Sequence, residues 1–224
     1  MDLVFKFLRD IARHNDREWM QDHRQEYEQA RAIFETMVEK LIVRISSFDA
    51  SVSHLSVKEC TYRFNRDTRF SPDKSPYKRH FGAYIAAHGK KAYHGGYYLH
   101  IQPGECMVAG GAYCLPPAML KAVRQSVVDD IDEFRGIVES PEFARLFMEG
   151  RGKGIGLERV RTVPKGFASD FPYLDYIRPK DYSIATCVDD AFLCGDDWLD
   201  RTEHIFRVMK PFIDFVNYTI DDYE

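Results

Sequence analysis

The sequence predicts an α+β protein in which an antiparallel β-meander in the middle third packs against N-terminal and C-terminal helices. Three observations carry this. Apolar residues recur at steps of three and four through residues 1–48 and again near the C-terminus, which is helical spacing. The Tyr-, Phe- and Val-rich stretch 52–113 instead alternates with period two, broken by Pro and Gly. No internal repeat, low-complexity run or shift in composition divides the chain, so one α+β domain is expected over 1–224. Within it, 1–48 is helical, 52–113 is mainly antiparallel sheet, and 117–224 is mixed and ends in a long helix.

The elements follow in order. Phe5, Leu8, Ile11 and Ala12 form one apolar stripe. The chain then breaks at His14-Asn15, and Asn15 with Glu18 three positions later has the form of a capping box. Trp19, His23, Tyr27, Ala30, Phe34, Val38, Leu41 and Ile45 continue a second stripe. In the middle third, Cys60–Asn65, Phe81–Ala87 and Tyr97–Ile101 alternate as strands. Gln102-Pro103-Gly104-Glu105 supplies Pro and Gly at the centre of a type II turn, so Cys106–Tyr113 returns antiparallel. Pro116-Pro117 opens a helix with Met119, Leu120, Val123, Val127 and Val128 on its buried face, and Phe134, Ile137 and Val138 extend the pattern. The glycine run Gly150–Gly156 reads as a flexible connection, Tyr182–Val188 as one more strand, and Trp198–Val216 as the terminal helix.

Composition sets the function classes. Hydrophobic residues at 45% and charged residues at 29% exclude collagen, disorder and disulfide scaffolds. The net charge of −4 argues against a generic binder of nucleic acid or membrane surfaces but permits a local basic site. The opening MDLVFKFLRDIARHN lacks the layout of a signal peptide, and no apolar run reaches the ~18–20 residues of a membrane span. Five cysteines, odd in number and without a C-x-x-C pair, fit free thiols in a reducing cytoplasm.

Charge is unevenly distributed. From Lys58 to Arg79 seven bases face three acids, whereas the last thirty-six residues carry ten acids and three bases. The basic stretch centres on Arg66-Asp-Thr-Arg-Phe-Ser-Pro-Asp-Lys-Ser-Pro-Tyr-Lys78. Arg66 and Arg69 offer planar forks of donors suited to carboxylate or phosphate oxygens. Ser71-Pro72 and Ser75-Pro76 have the form of helix starts, which aim unpaired N–H groups at an oxyanion. Asp67 and Asp73 orient the guanidinium groups, Lys74 and Lys78 add charge, and Tyr77 and His100 orient the ligand. The competing reading is a salt-bridged loop that locks the helices to the sheet, its exposed ion pairs worth only about 0–1 kcal/mol each.

Other motifs fail. His80, His88, His94 and His100 match no metal-ligand spacing, so no metal and no cofactor is assigned. There is no G-x-S-x-G, and the glycine run lacks the order of a phosphate loop. Tyr93, Tyr97, Tyr98 and Tyr113 are assigned to the core, with base stacking as the alternative. Acidic pairs such as Asp189-Asp190 and Asp196-Asp197 suit helix N-termini.

Several of these residues occur together in a known pattern. Asn15-Asp-Arg-Glu-Trp19 with His23 and Tyr27, the Arg66–Lys78 motif, Tyr98-x-His-Ile-x-Pro-Gly104, Gly110-Gly111, Arg124, and Pro164-Lys-Gly-Phe167 before Pro172 resemble, in order, the domain of unknown function 2461 family. Met20 departs from the aromatic expected beside Trp19, a packing change outside the charged motif. The resemblance implies a compact α+β fold and implies no activity.

The expected function is binding of an anionic small molecule, phosphate- or carboxylate-bearing, through Arg66, Asp67, Arg69, Ser71, Asp73, Lys74, Tyr77, Lys78 and His100. Nucleic-acid binding through the same loop is the weaker alternative because the C-terminal third is acidic, and a structural or partner-binding role is the other. No catalytic nucleophile–base–orienter set can be read, so no reaction is assigned.

Overall fold

A computed structural model of the chain describes residues 1–223 and has the expected α+β architecture. Helix α1 (Asp2–Arg13) buries Val4, Phe5, Phe7, Leu8 and Ile11 on one side. It packs along α3 (Arg24–Ser46), whose Ala30, Phe34, Val38, Leu41 and Ile45 are fully buried. Between them lies α2 (Arg17–Asp22). Its cap is Asp16, which accepts from the Trp19 N–H at 2.8 Å, and not the Asn15 expected. Asn15 is engaged elsewhere: its Oδ1 accepts from the Tyr77 N–H and its Nδ2 donates to the Tyr77 carbonyl, both at 3.0 Å. The second stripe is also not one helix. His23 ends α2, stacked on Trp19 with ring centroids 4.1 Å apart.

After the short α4 (Val57–Cys60), residues 61–80 do not form the strand expected at Cys60–Asn65. Only the isolated bridges Thr61 with Ala83 and Asn65 with Tyr77 remain. The alternation is real, but past Thr61 and the Tyr62 N–H, which donates to the Gly82 carbonyl, its backbone partners lie within the segment. The Arg66 N–H donates to the Pro76 carbonyl and the Lys78 N–H to the Phe64 carbonyl, closing a loop.

Strands β1 (Phe81–Ile85), β2 (Gly96–Ile101), β3 (Met107–Ala112) and β4 (Tyr182–Cys187) form a four-stranded antiparallel sheet in that order. Gly104, at φ +78°, completes the type II turn between β2 and β3. One face of the sheet carries Ala83, Ile85, Tyr97, Leu99, Ile101, Val108 and Ile184, all buried. Covering this face, α10 (Trp198–Asp221) contributes Phe206, Met209, Phe212, Ile213 and Val216. The approach is close enough that a Cβ at Gly110 would sit 2.8 Å from the Met209 sulfur. Each such large apolar side chain contributes about 1.5–3 kcal/mol on burial. Helices α5 (Pro117–Asp129) and α6 (Ile131–Val138) flank α10. The remaining turns are α7 (Pro141–Phe143), α8 (Leu174–Ile177) and α9 (Asp190–Cys194), the last capped by Asp189 as its acidic pair suggests.

The glycine run is fastened down rather than free. Arg151 accepts from the Cys187 N–H, Lys153 donates to Ala185, and Gly156 donates to Ser183, so the segment runs along the outer edge of β4. A Cβ at Gly152 would run into the Phe147 backbone, so the close approach requires glycine. With segment 61–65 beside β1, both sheet edges are covered, which blocks edge-to-edge pairing with another chain. Among the described residues no helix is long and apolar enough to cross a membrane.

Candidate functional site

Among the described residues, the second face of the sheet bears no helix. Because side chains alternate across a strand, the register lines up Tyr84, Tyr98, Ala109 and Ala185 in one row on this face. Gly82, His100, Met107 and Cys187 form the next row, and Gly96, Gly111 and Ser183 a third. In the first row Tyr84 and Tyr98 on β1 and β2 stand beside Ala109 and Ala185 on β3 and β4, and this step from bulky to small leaves a hollow. That hollow is a cavity of about 670 Å³, within the size range of small-molecule sites.

Its walls come from the segments that cover the sheet. Tyr62, Lys78 and His80 stand on the β1 side, Lys90, Lys91 and Tyr93 close one end, and Tyr113, Cys114 and Leu157 stand opposite. The 88–95 loop is held by a buried amide: Asn217 Oδ1 accepts from the Gly95 N–H at 2.6 Å and its Nδ2 donates to the Gly95 carbonyl at 3.1 Å. Three lysines and five tyrosines line the cavity, and among the described residues no aspartate or glutamate does.

The polar groups of the floor are ordered. The Tyr84 hydroxyl lies 2.9 Å from the carbonyls of His94 and Gly111. The Tyr98 hydroxyl lies 3.0 Å from His100 Nδ1, and the rings of His100 and His80 are 4.3 Å apart between centroids. Burial raises the Tyr98 phenol, so it keeps its proton and pairs with Nδ1 as donor or acceptor according to the His100 tautomer. Burial also lowers His100, with Gln102 and Glu105 acting in the opposite direction. His80 is pushed down to about 4 by burial first, then by His100 and Lys78. Both imidazoles are therefore neutral near pH 7. Tyr98 reaches its position by lying over Gly82, where a Cβ would meet its hydroxyl oxygen at 2.7 Å.

Lys78 lies over the Tyr62 ring, its Nζ 5.1 Å from the centroid. Burial lowers its pKa, and the positive charges of Arg63 and Arg31 lower it further. Lys90 is fixed by the carbonyls of Lys58 and Glu59, at 2.7 and 3.0 Å.

Among the residues expected from the sequence, Lys78 and His100 enter this cavity. The others lie outside its lining, largely in a loop that satisfies itself. Arg66 binds Asp73 at 2.6 Å, the Ser75 carbonyl and hydroxyl, and the Ser71 hydroxyl at 3.2 Å. Arg69 grips Asp67 through Nε at 3.0 Å and Nη2 at 2.7 Å. Lys74 donates to the Thr68 carbonyl at 2.9 Å. Neither Ser-Pro pair opens a helical turn, and beyond Ser75-Pro76 the Tyr77 N–H donates to Asn15 Oδ1 and the Lys78 N–H to the Phe64 carbonyl, so neither is left for an anion. Tyr77 packs on Phe64.

Sequence reasoning missed Tyr62, His80, Tyr84, Lys90 and Lys91. Of the tyrosines assigned to the core, only Tyr97 is there, while Tyr93, Tyr98 and Tyr113 line the cavity. The available signal was the composition of alternate strand positions. Gly82-x-Tyr84, Tyr98-x-His100, Ala109-x-Gly111 and Ser183-x-Ala185 give a face that is small and aromatic, not the charged face a solvated sheet presents.

A family model described as "conserved hypothetical protein (DUF2461)" matches residues 3–215 of the chain. The protein belongs to the DUF2461 family. Comparison with curated proteins and with solved structures gave no match. All the cleft residues of this DUF2461 chain, Tyr62 to Ala185, fall inside the matched region, as does the Arg66–Lys78 loop.

Proposed function

We propose that the protein binds a small organic anion, a carboxylate or phosphate on a flat apolar body, in the cleft on the helix-free face of the sheet. One observation supports this above the others: among the described residues the lining holds Lys78, Lys90 and Lys91 and no acidic side chain. Cations in a concave, partly dehydrated site attract an anion more strongly than they do on an open surface. The tyrosine rings and the alanine and glycine floor favour a ligand with a planar apolar part, since aromatic faces stack on such groups. Tyr98 and the neutral imidazoles supply hydrogen bonds that fix its orientation. The Arg66–Lys78 loop takes part through its last residue, and its arginines brace the wall.

Thermal unfolding with pyrophosphate, adenosine monophosphate, benzoate and 4-(hydroxymethyl)benzoate tests this reading. A ligand at a hundred times its Kd stabilises by about 2.7 kcal/mol, or roughly 5–10 °C for a chain of this size. An organic anion should produce that shift in the native protein and a much smaller one in Lys78→Gln. A flat response to all four, or equal shifts in the two proteins, overturns it.

A further inference from the structure

The three lysines of the cleft are not equivalent. Lys90 is held by two backbone carbonyls, and Lys91 is exposed. Lys78 is half-buried and, among the described residues, its amino group has no hydrogen bond or ion pair, only the Tyr62 ring beneath it. An ammonium in that position has given up water without gaining an anion, and two arginines add like charge. Such a group releases its proton more readily than a free lysine and becomes a nucleophile.

We propose that Lys78 captures carbonyl groups, condensing with an aldehyde or ketone carried on an organic anion to form an imine. This rests on the reading of the cleft as an anion site. The free amine attacks the carbonyl carbon, a C–N bond forms, and the carbonyl oxygen takes up a proton. The resulting carbinolamine loses its hydroxyl as water while nitrogen gives up its remaining proton, leaving C=N, with no oxidant or reductant required. His80, two residues beyond Lys78 and packed on His100, lines the same cavity, and water in the open cleft takes up the ammonium proton and protonates the departing hydroxyl. The anionic group of the ligand is left to Lys90 and Lys91.

The test uses 4-formylbenzoate with cyanoborohydride, which reduces an imine to a stable amine, followed by peptide mapping by mass spectrometry. Binding of 4-(hydroxymethyl)benzoate, which lacks the carbonyl, is measured in parallel by calorimetry. Labelling near neutral pH should fall on Lys78 ahead of Lys90 and Lys91, since Lys78 alone of the three is half-buried with, among the described residues, no hydrogen-bond partner on its amino group and releases its proton more readily. Lys78→Arg, checked for folding by circular dichroism, should lose that adduct and keep the slow labelling elsewhere. If the alcohol binds but labelling is even across the lysines or absent at Lys78, the imine proposal fails and the anion site stands. If the alcohol does not bind and Lys78 is unlabelled, both fail.

Discussion

The Arg66–Lys78 loop and the cleft beside it are both rich in cations, and they treat those cations in opposite ways. In the loop each arginine is matched within a few residues, Arg66 by Asp73 and Arg69 by Asp67. In the cleft Lys78 comes from one segment and Lys90 and Lys91 from another, and among the described residues they meet no carboxylate. A charge already neutralised by a neighbour stabilises structure and has little left for a ligand; an unmatched one in a hollow is held at a cost and attracts an anion. Density of charge along the sequence is therefore a poor guide to which cations the fold leaves without an acidic partner. What matters is whether local turns bring acids back to the same bases.

Neutralising the cleft should have the largest effect. Lys78→Gln, Lys90→Gln and Lys91→Gln combined should reduce affinity for the benzoate probe by about a hundredfold or more, since a hydrogen bond to a charged group contributes about 1.5–3 kcal/mol. Calorimetry reads this directly, and unchanged affinity would erase the distinction between the two regions. Arg66→Ala should do the reverse. It removes the guanidinium that ties Asp73, Ser71 and Ser75 together, and should lower stability by about 2–3 kcal/mol with affinity changed less than about threefold. A variant that kept its melting temperature and lost the ligand would invert the assignment.

The fold was largely legible in the sequence because its signals are local: the stripes of α1, α3 and α10, the meander through Gly104, and β4 at Tyr182. The site was legible only at Lys78 and His100. Asn15 illustrates why. Its spacing to Glu18 matches a capping box, but its carboxamide pairs with the backbone of Tyr77, sixty-two positions away. Likewise, the small side chains of β3 and β4 form a hollow only once strand register sets them beside Tyr84 and Tyr98. Strand alternation shows that two faces exist; it does not show which one the helices cover.

Acid separates the two regions further. His80 has a folded-state pKa of about 4 against 6.5 when free, so the unfolded chain takes up the proton first. Its contribution is intact above pH 6.5 and is lost as pH falls toward 4. Because the ring keeps partial access to water, the loss should be about 1–2 kcal/mol. Melting temperature against pH should show this step, and His80→Gln should remove it. A bound anion favours the protonated rings and should shrink it. Asp73 acts lower. Hydrogen bonds from the Ser75 amide and hydroxyl, ahead of Arg66, hold it near 2, so its contribution fades as pH falls from 3.8 toward 2. A step that survives in His80→Gln would assign the upper window to another group.

The smallest change expected is from Arg69→Ala. Both partners of the Arg69–Asp67 pair are solvent-exposed, and the loss should stay below about 1 kcal/mol with no effect on the probe. A large loss of affinity there would return the binding role to the loop, whose Phe70 stands 93% exposed at its tip.

The clasp between Asn15 and Tyr77 has a consequence for how damage spreads. A single carboxamide, imitating a neighbouring strand, hinges the wall that carries Lys78 onto the turn between the first two helices. A lesion at that amino-terminal corner would thus reach the ligand pocket by a short mechanical route while the interior beneath α10 stayed whole, and the pocket would lose its shape before the molecule lost its fold.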